Sequence, residues 1–142
     1  MSGTIKDYKD LVVWQEAMSL VELTYELARR LPRSEEFALK QQMRRAAVSV
    51  AANIAEGHGS SHRGVFLNHL SISRGSLTEL ETYVLLMSRL KYVPESETCT
   101  IGEQIRKVGR LLNALIRALR SSPRPPGLRS PTPIPRPLTP AS

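Results

Sequence analysis

Residues 46–59 read "AAVSVAANIAEGHG". Such a stretch suits a phosphate-cradling loop, a metal site on His58 and His62, or a close-packing helix that ends in a turn. Phosphate loops follow a strand, open a helix and in their strongest form end in Lys-Ser or Lys-Thr. Here the glycines close an alanine-rich run, no strand pattern precedes them and no lysine follows. A zinc site needs three or four convergent ligands. Gly57 and Gly59 interrupt the helix that would align His58 with His62, and beyond His69 no second cysteine or carboxylate cluster joins them. The stretch therefore reads as a helix. Gly57 is expected to be the left-handed residue that ends it after Glu56, with His58 and His62 as solvated turn residues. The small side chains of Ala46, Ala47, Ser49, Ala51, Ala52 and Ala55 should let neighbouring helices approach closely, as should Gly75 and Ser76 downstream.

Prolines and glycines divide residues 1–120 into four segments. The spacing predicts helices over about residues 8–31, 35–57, 61–92 and 96–120. Pro32, Pro94 and Pro123 follow three of them, and Ser34 is the expected N-cap of the second, with Glu35 and Glu36 at its positive end. Apolar residues recur at steps of three and four. The fourth segment carries Ile101, Ile105, Val108, Leu112, Leu115 and Leu119; the third, Phe66, Leu70, Ser73, Leu77, Leu80, Val84 and Met87; the second, Leu39, Met43, Ala47, Val50 and Ile54. No alternating pattern competes. The expected fold is all-α, an antiparallel up-down four-helix bundle over residues 1–120.

The first helix has two stripes. Val13, Ala17, Leu20, Thr24, Leu27 and Leu31 suffice to join a core; Leu11, Trp14, Met18, Val21, Tyr25 and Ala28 form a second, adjacent seam. So wide an apolar face belongs to a deeply buried helix or to one that also meets another subunit. Trp14, Met18, Val21 and Tyr25 are the candidate oligomer interface.

The 142 residues carry 20 Lys and Arg against 13 Asp and Glu, a net charge of +7. Such an excess favours polyanionic partners. Part of it lies in residues 121–142, which hold three arginines, no acid and eight prolines, and which should form an extended, disordered basic tail. The lone Cys99 excludes an intrachain disulfide. The N-terminus lacks a signal-peptide core and no apolar run reaches membrane-spanning length, so the expectation is a soluble, cytoplasmic protein with no membrane partner. No nucleophile–base constellation emerges either: Cys99 in "SETCTIG" has no identifiable base. Neither catalysis, a cofactor nor a metal is expected.

One feature bears on function directly. Arg106, Arg110, Asn113, Arg117 and Arg120 repeat at steps of four and three, on average about 140° from the apolar seam of the fourth helix. They span roughly 21 Å of helix and suit a run of phosphates. No aromatic residue interleaves with them, so they offer no base stacking. Arg106, Arg110, Arg117 and Arg120 are the candidate nucleic-acid contacts. Arg44 and Arg45 are set aside as structural partners of Glu79 or Glu81.

The strings "DLVVWQEAM", "QMRRAAVSVAANIAEGHG" and "FLNHLSISRGSLTELETYVLLMSRL" resemble, in order and spacing, the bacterial four helix bundle family. That family is also called the rRNA intervening-sequence protein family, since some members are encoded inside insertions in 23S rRNA genes. Its signature strings correspond here to Asn53 through Gly57, including Glu56, and to Arg74 through Glu81, including Gly75, Ser76 and Glu79. The resemblance covers about residues 5–118. It implies a left-handed bundle that assembles as a five-fold ring, with no established enzymatic activity. The accessory subunit of diversity-generating retroelements looks like a distant relative, which implies RNA and a reverse transcriptase as partners.

Overall fold

The structure, a computed structural model, describes residues 4–121; the tail expected over residues 121–142 lies outside them from residue 122 onward. Four helices follow one another: α1 Val12–Ala28, α2 Leu39–His58, α3 Arg63–Arg89 and α4 Cys99–Ser121. Among the described residues there is no strand. α1 and α3 each pack on both α2 and α4, while the diagonal pairs stay apart. Cross-helix bonds give the antiparallel sense: Ser49 meets Ser76, and Asn53, one turn later, meets His69.

All four helices start later than their apolar spacing implies, and for α1, α2 and α4 the reason is local. Asp7 and Asp10 form a reciprocal capping box around a 3-10 turn at Tyr8–Asp10, and Leu11 is then extended before α1 begins. The amides of Lys6 and Asp7 also hold the Asp10 carboxyl below its ordinary range. Pro32 and Pro94 have the φ that the ring dictates, −68° and −64°, with an extended ψ, and each opens another 3-10 turn, Arg33–Glu35 and Glu95–Thr98. Ser34 thus lies inside a turn instead of capping α2, which starts at Leu39 without a side-chain cap. α3 closes with a Schellman pattern: Tyr92 N–H donates to Met87 C=O at 3.0 Å and Lys91 N–H to Ser88 C=O at 3.0 Å. Lys91, with φ of 61°, occupies the left-handed position.

The predicted seams of α1 and α2 are buried from end to end, and that of α3 from Leu70 to Met87. On α4 the buried row is Ile101, Ile105, Val108, Leu112 and then Ile116, with Leu115 and Leu119 only partly covered. A strict seven-residue repeat drifts about 20° per heptad on a straight helix, so the inward position passes to the next residue. Among the described residues two hydroxyls are buried, and both are satisfied. Thr24 donates to Leu20 C=O at 2.7 Å, and Ser73 reaches across to Val50 C=O at 2.8 Å.

α2 and α3 make the longest contact, and small residues make it close. Ala46, Ala47 and Ala51 are buried. Gly57 sits within α2 and does not adopt the left-handed conformation expected of it. A Cβ there would lie 2.7 Å from His69 Cβ and 2.9 Å from Phe66 Cδ1, so the glycine is required by the approach of α3. Two other small residues were misplaced by the close-packing expectation. Ala52 is exposed, and a Cβ on exposed Gly75 would meet nothing within 4 Å.

Candidate nucleic-acid interface

α4 turns its apolar row inward between α1 and α3, which leaves Arg106, Arg110, Arg117 and Arg120 exposed on the outside. None of the four joins an ion pair among the described residues, whereas Lys9, Arg30, Lys40 and Lys107 each face a carboxylate. Lys107 lies on the other flank of α4, where Glu16 holds it at 3.1 Å and Gln104 reaches the same carboxylate at 2.7 Å. The Gln104 hydrogen bond and then Lys107 lower the Glu16 pKa. The α1 flank of α4 is therefore neutralised, and the α3 flank keeps its charge.

Arg74 adds to that flank. Its Nη1 donates to Asn113 Oδ1 at 3.2 Å, which brings an arginine of α3 level with the gap between Arg110 and Arg117. Two turns along α3, Glu81 occupies the same flank as Arg74, level with Arg106 in this antiparallel pair. The positive field is thus strongest toward Arg117 and Arg120. Arg120 also complements the negative C-terminal end of the α4 dipole.

Of the remaining signature residues, Asn53, Glu56 and Ser76 join Ser49 and His69 in a polar ladder between α2 and α3. Glu56 Oε2 lies 3.8 Å from His69 Nδ1, which sits 3.0 Å from Asn53 Oδ1. Asn53 Nδ2 donates to Ser49 C=O at 2.9 Å, and Ser49 Oγ pairs with Ser76 Oγ at 2.7 Å. Glu79 stands apart, exposed and without an ion pair among the described residues. Arg44 departs from the pairing expected with Glu79 or Glu81. It lies over the Tyr25 ring, 5.0 Å from the centroid.

His58 is the last residue of α2, not a solvated turn residue, and packs edge-on against Phe66 at 5.6 Å. His62 is exposed before α3. Among the described residues no three His, Cys, Asp or Glu side chains are grouped to hold a metal ion. No described helix is long and apolar enough to cross a membrane. On the second seam of α1, Leu11 and Ala28 are buried, Trp14 and Val21 half-buried, and Met18 and Tyr25 each 38% exposed. Trp14 also stacks edge-on against Tyr8 at 5.2 Å, an intrachain anchor that the spacing did not suggest.

No curated protein matches the chain. Among solved structures, a protein of unknown function from the S23 ribosomal protein family of Bacteroides thetaiotaomicron is similar, with a TM-score of 0.70 at 25% identity. The likeness covers 75% of this chain and 99% of that one. Residues 9–114 match the 23S rRNA-intervening sequence protein family, a span that includes Arg74, Arg106 and Arg110 and stops before Arg117. With the four helices, the α2–α3 signature ladder and this match in agreement, the chain belongs to the 23S rRNA-intervening sequence protein family.

Proposed function

We propose that the protein is a non-enzymatic helical bundle that assembles into a ring and binds nucleic acid, RNA in the first instance, along the α3–α4 basic flank. The observation that carries this reading is the exposed row of arginines on α4, none in an ion pair among the described residues, joined by Arg74 from α3. Arginine forks suit phosphate oxygens, and repetition around a ring would sum the fields of several copies. The family's association with rRNA genes favours RNA as the first ligand to test. A five-membered ring is the assembly implied by the family resemblance, and a reverse transcriptase is the protein partner that the retroelement resemblance names.

The reading is tested by titrating structured RNA and duplex DNA with wild type and with Arg106→Glu/Arg117→Glu at two salt concentrations. Wild-type affinity is expected to fall steeply with salt, because bound arginines displace condensed counterions. The charge-reversed protein should bind at least about tenfold more weakly with an unchanged melting temperature. Scrambled sequences should bind nearly as well, since phosphate contacts carry no base information. Equal binding by the two proteins would remove the stripe from the site. Absence of wild-type binding at low salt would leave a structural oligomer or protein-interaction scaffold as the better description.

A further inference from the structure

Two features of the surface have no explanation within one chain. The first is Arg44. Its Nε is buried without a hydrogen-bond partner, beneath the Tyr25 ring contact. Glu36 lies within its electrostatic reach, but Lys40 already binds that carboxylate at 2.7 Å. Around Arg44 the α1–α2 face is apolar: Met18 and Tyr25 on α1, and Val48 one turn beyond Arg44 on α2, 43% exposed. Ala52 and Ala55 continue that side of α2 as a shallow, small-residue lane.

The second is the solvent side of α3. Val65, Ile72, Leu86 and Leu90 are all exposed there, at steps that keep them on one side of the helix. Within the same strip lie Gly75, which open space surrounds, and the unpaired Glu79. A mid-helix glycine weakens a helix relative to alanine, and no neighbour among the described residues compensates. A glycine on an apolar strip admits another backbone closely. A carboxylate on that strip selects a cationic partner.

These two surfaces complement each other in charge and in size, with large side chains on α3 and small ones on α2. We propose that copies of this chain assemble head to tail, the Glu79 carboxylate of one copy pairing with the Arg44 guanidinium of the next. The pairing rests on the self-assembly proposed above and names the two faces that meet. An α1–α2 face packed on itself would set two Arg44 side chains in opposition, which disfavours that arrangement. Because the two faces lie on different sides of the bundle, the contact is heterologous, and it builds a ring where the rotation between copies closes.

The test measures assembly mass by light scattering, with helicity as the check on folding, for wild type, R44E, E79R and the R44E/E79R swap. Wild type should form an assembly larger than a dimer. Each single variant should raise the concentration needed for assembly at least about tenfold, and the swap should restore most of it. Glu79 is exposed, so E79R decides the matter even if R44E disturbs the bundle. An E79R protein of wild-type mass, or a helical swap variant that stays dissociated, would overturn the pairing while leaving self-assembly standing. A monomeric wild type would overturn both.

Discussion

Asn53 Oδ1 on α2 lies 3.0 Å from His69 Nδ1 on α3, and the same asparagine binds the Ser49 carbonyl through its Nδ2. One amide thus ties its own helix to its neighbour at the tightest part of the bundle. Asn53→Ala should destabilise the fold by about 1–2 kcal/mol, since a half-buried imidazole loses its partner. With His69→Ala added, the loss should be clearly less than the sum, because both changes break the same bond. Urea midpoints of the two single variants and the double variant check this. Strict additivity would show that the contact is idle.

Gly57 and Gly75, both helical, should respond in opposite ways. Gly57→Ala places a Cβ against His69 and Phe66, and is expected to cost roughly 1–3 kcal/mol through overpacking. Gly75→Ala meets open space and should raise the stability of the isolated chain by up to about 1 kcal/mol. Thermal melts of both variants at low protein concentration separate the two cases.

Glu16 makes the α1–α4 seam sensitive to acid. Its folded pKa is lowered, first by the Gln104 hydrogen bond and then by Lys107. The sign follows from linkage: its stabilisation is fully present above the ordinary carboxylate value and is lost as pH falls through the lowered one. The melting temperature of wild type should therefore drop more steeply below about pH 5 than that of Glu16→Gln. Parallel curves would exclude Glu16 as a contributor.

Arg74 should act as one phosphate contact among several. Arg74→Ala is expected to weaken RNA binding uniformly across sequences and to reduce the log–log salt slope by about one. Arg89, exposed elsewhere on α3, serves as a control that should leave the slope unchanged.

Trp14 and Met18 share the second seam of α1 but should separate experimentally. Trp14→Ala removes the Tyr8 contact and should lower the melting temperature even of dissociated protein. Met18→Asp changes an exposed position and should act on assembly mass alone.

The bundle was legible because burial on a helix is periodic, and the apolar rows of α1 to α3 carry that period plainly. The close-packing errors came from treating small residues as interchangeable. Ala52 and Gly75 each lie nearly 180° from the apolar row of their own helix, so the wheel alone places them outside. Gly57 was different: a glycine near a helix end has the same appearance whether it turns the chain or admits a neighbour. Arg74 was assigned to a signature string, and its place on the basic flank depends on the pairing of α3 with α4. No single-helix pattern contains that pairing.

The polar clamp between Glu16 and Gln104 joins residues 88 positions apart. The α2–α3 hairpin, by contrast, closes across the short loop after His58. Loop-closure entropy grows with separation, so the hairpin is the natural nucleus and the α1–α4 seam the late step of folding. In the native state the same order runs in reverse. The first excursion should release a terminal helix while α2 and α3 remain paired, and amide hydrogens of α1 and α4 should exchange ahead of those flanking Asn53 and His69.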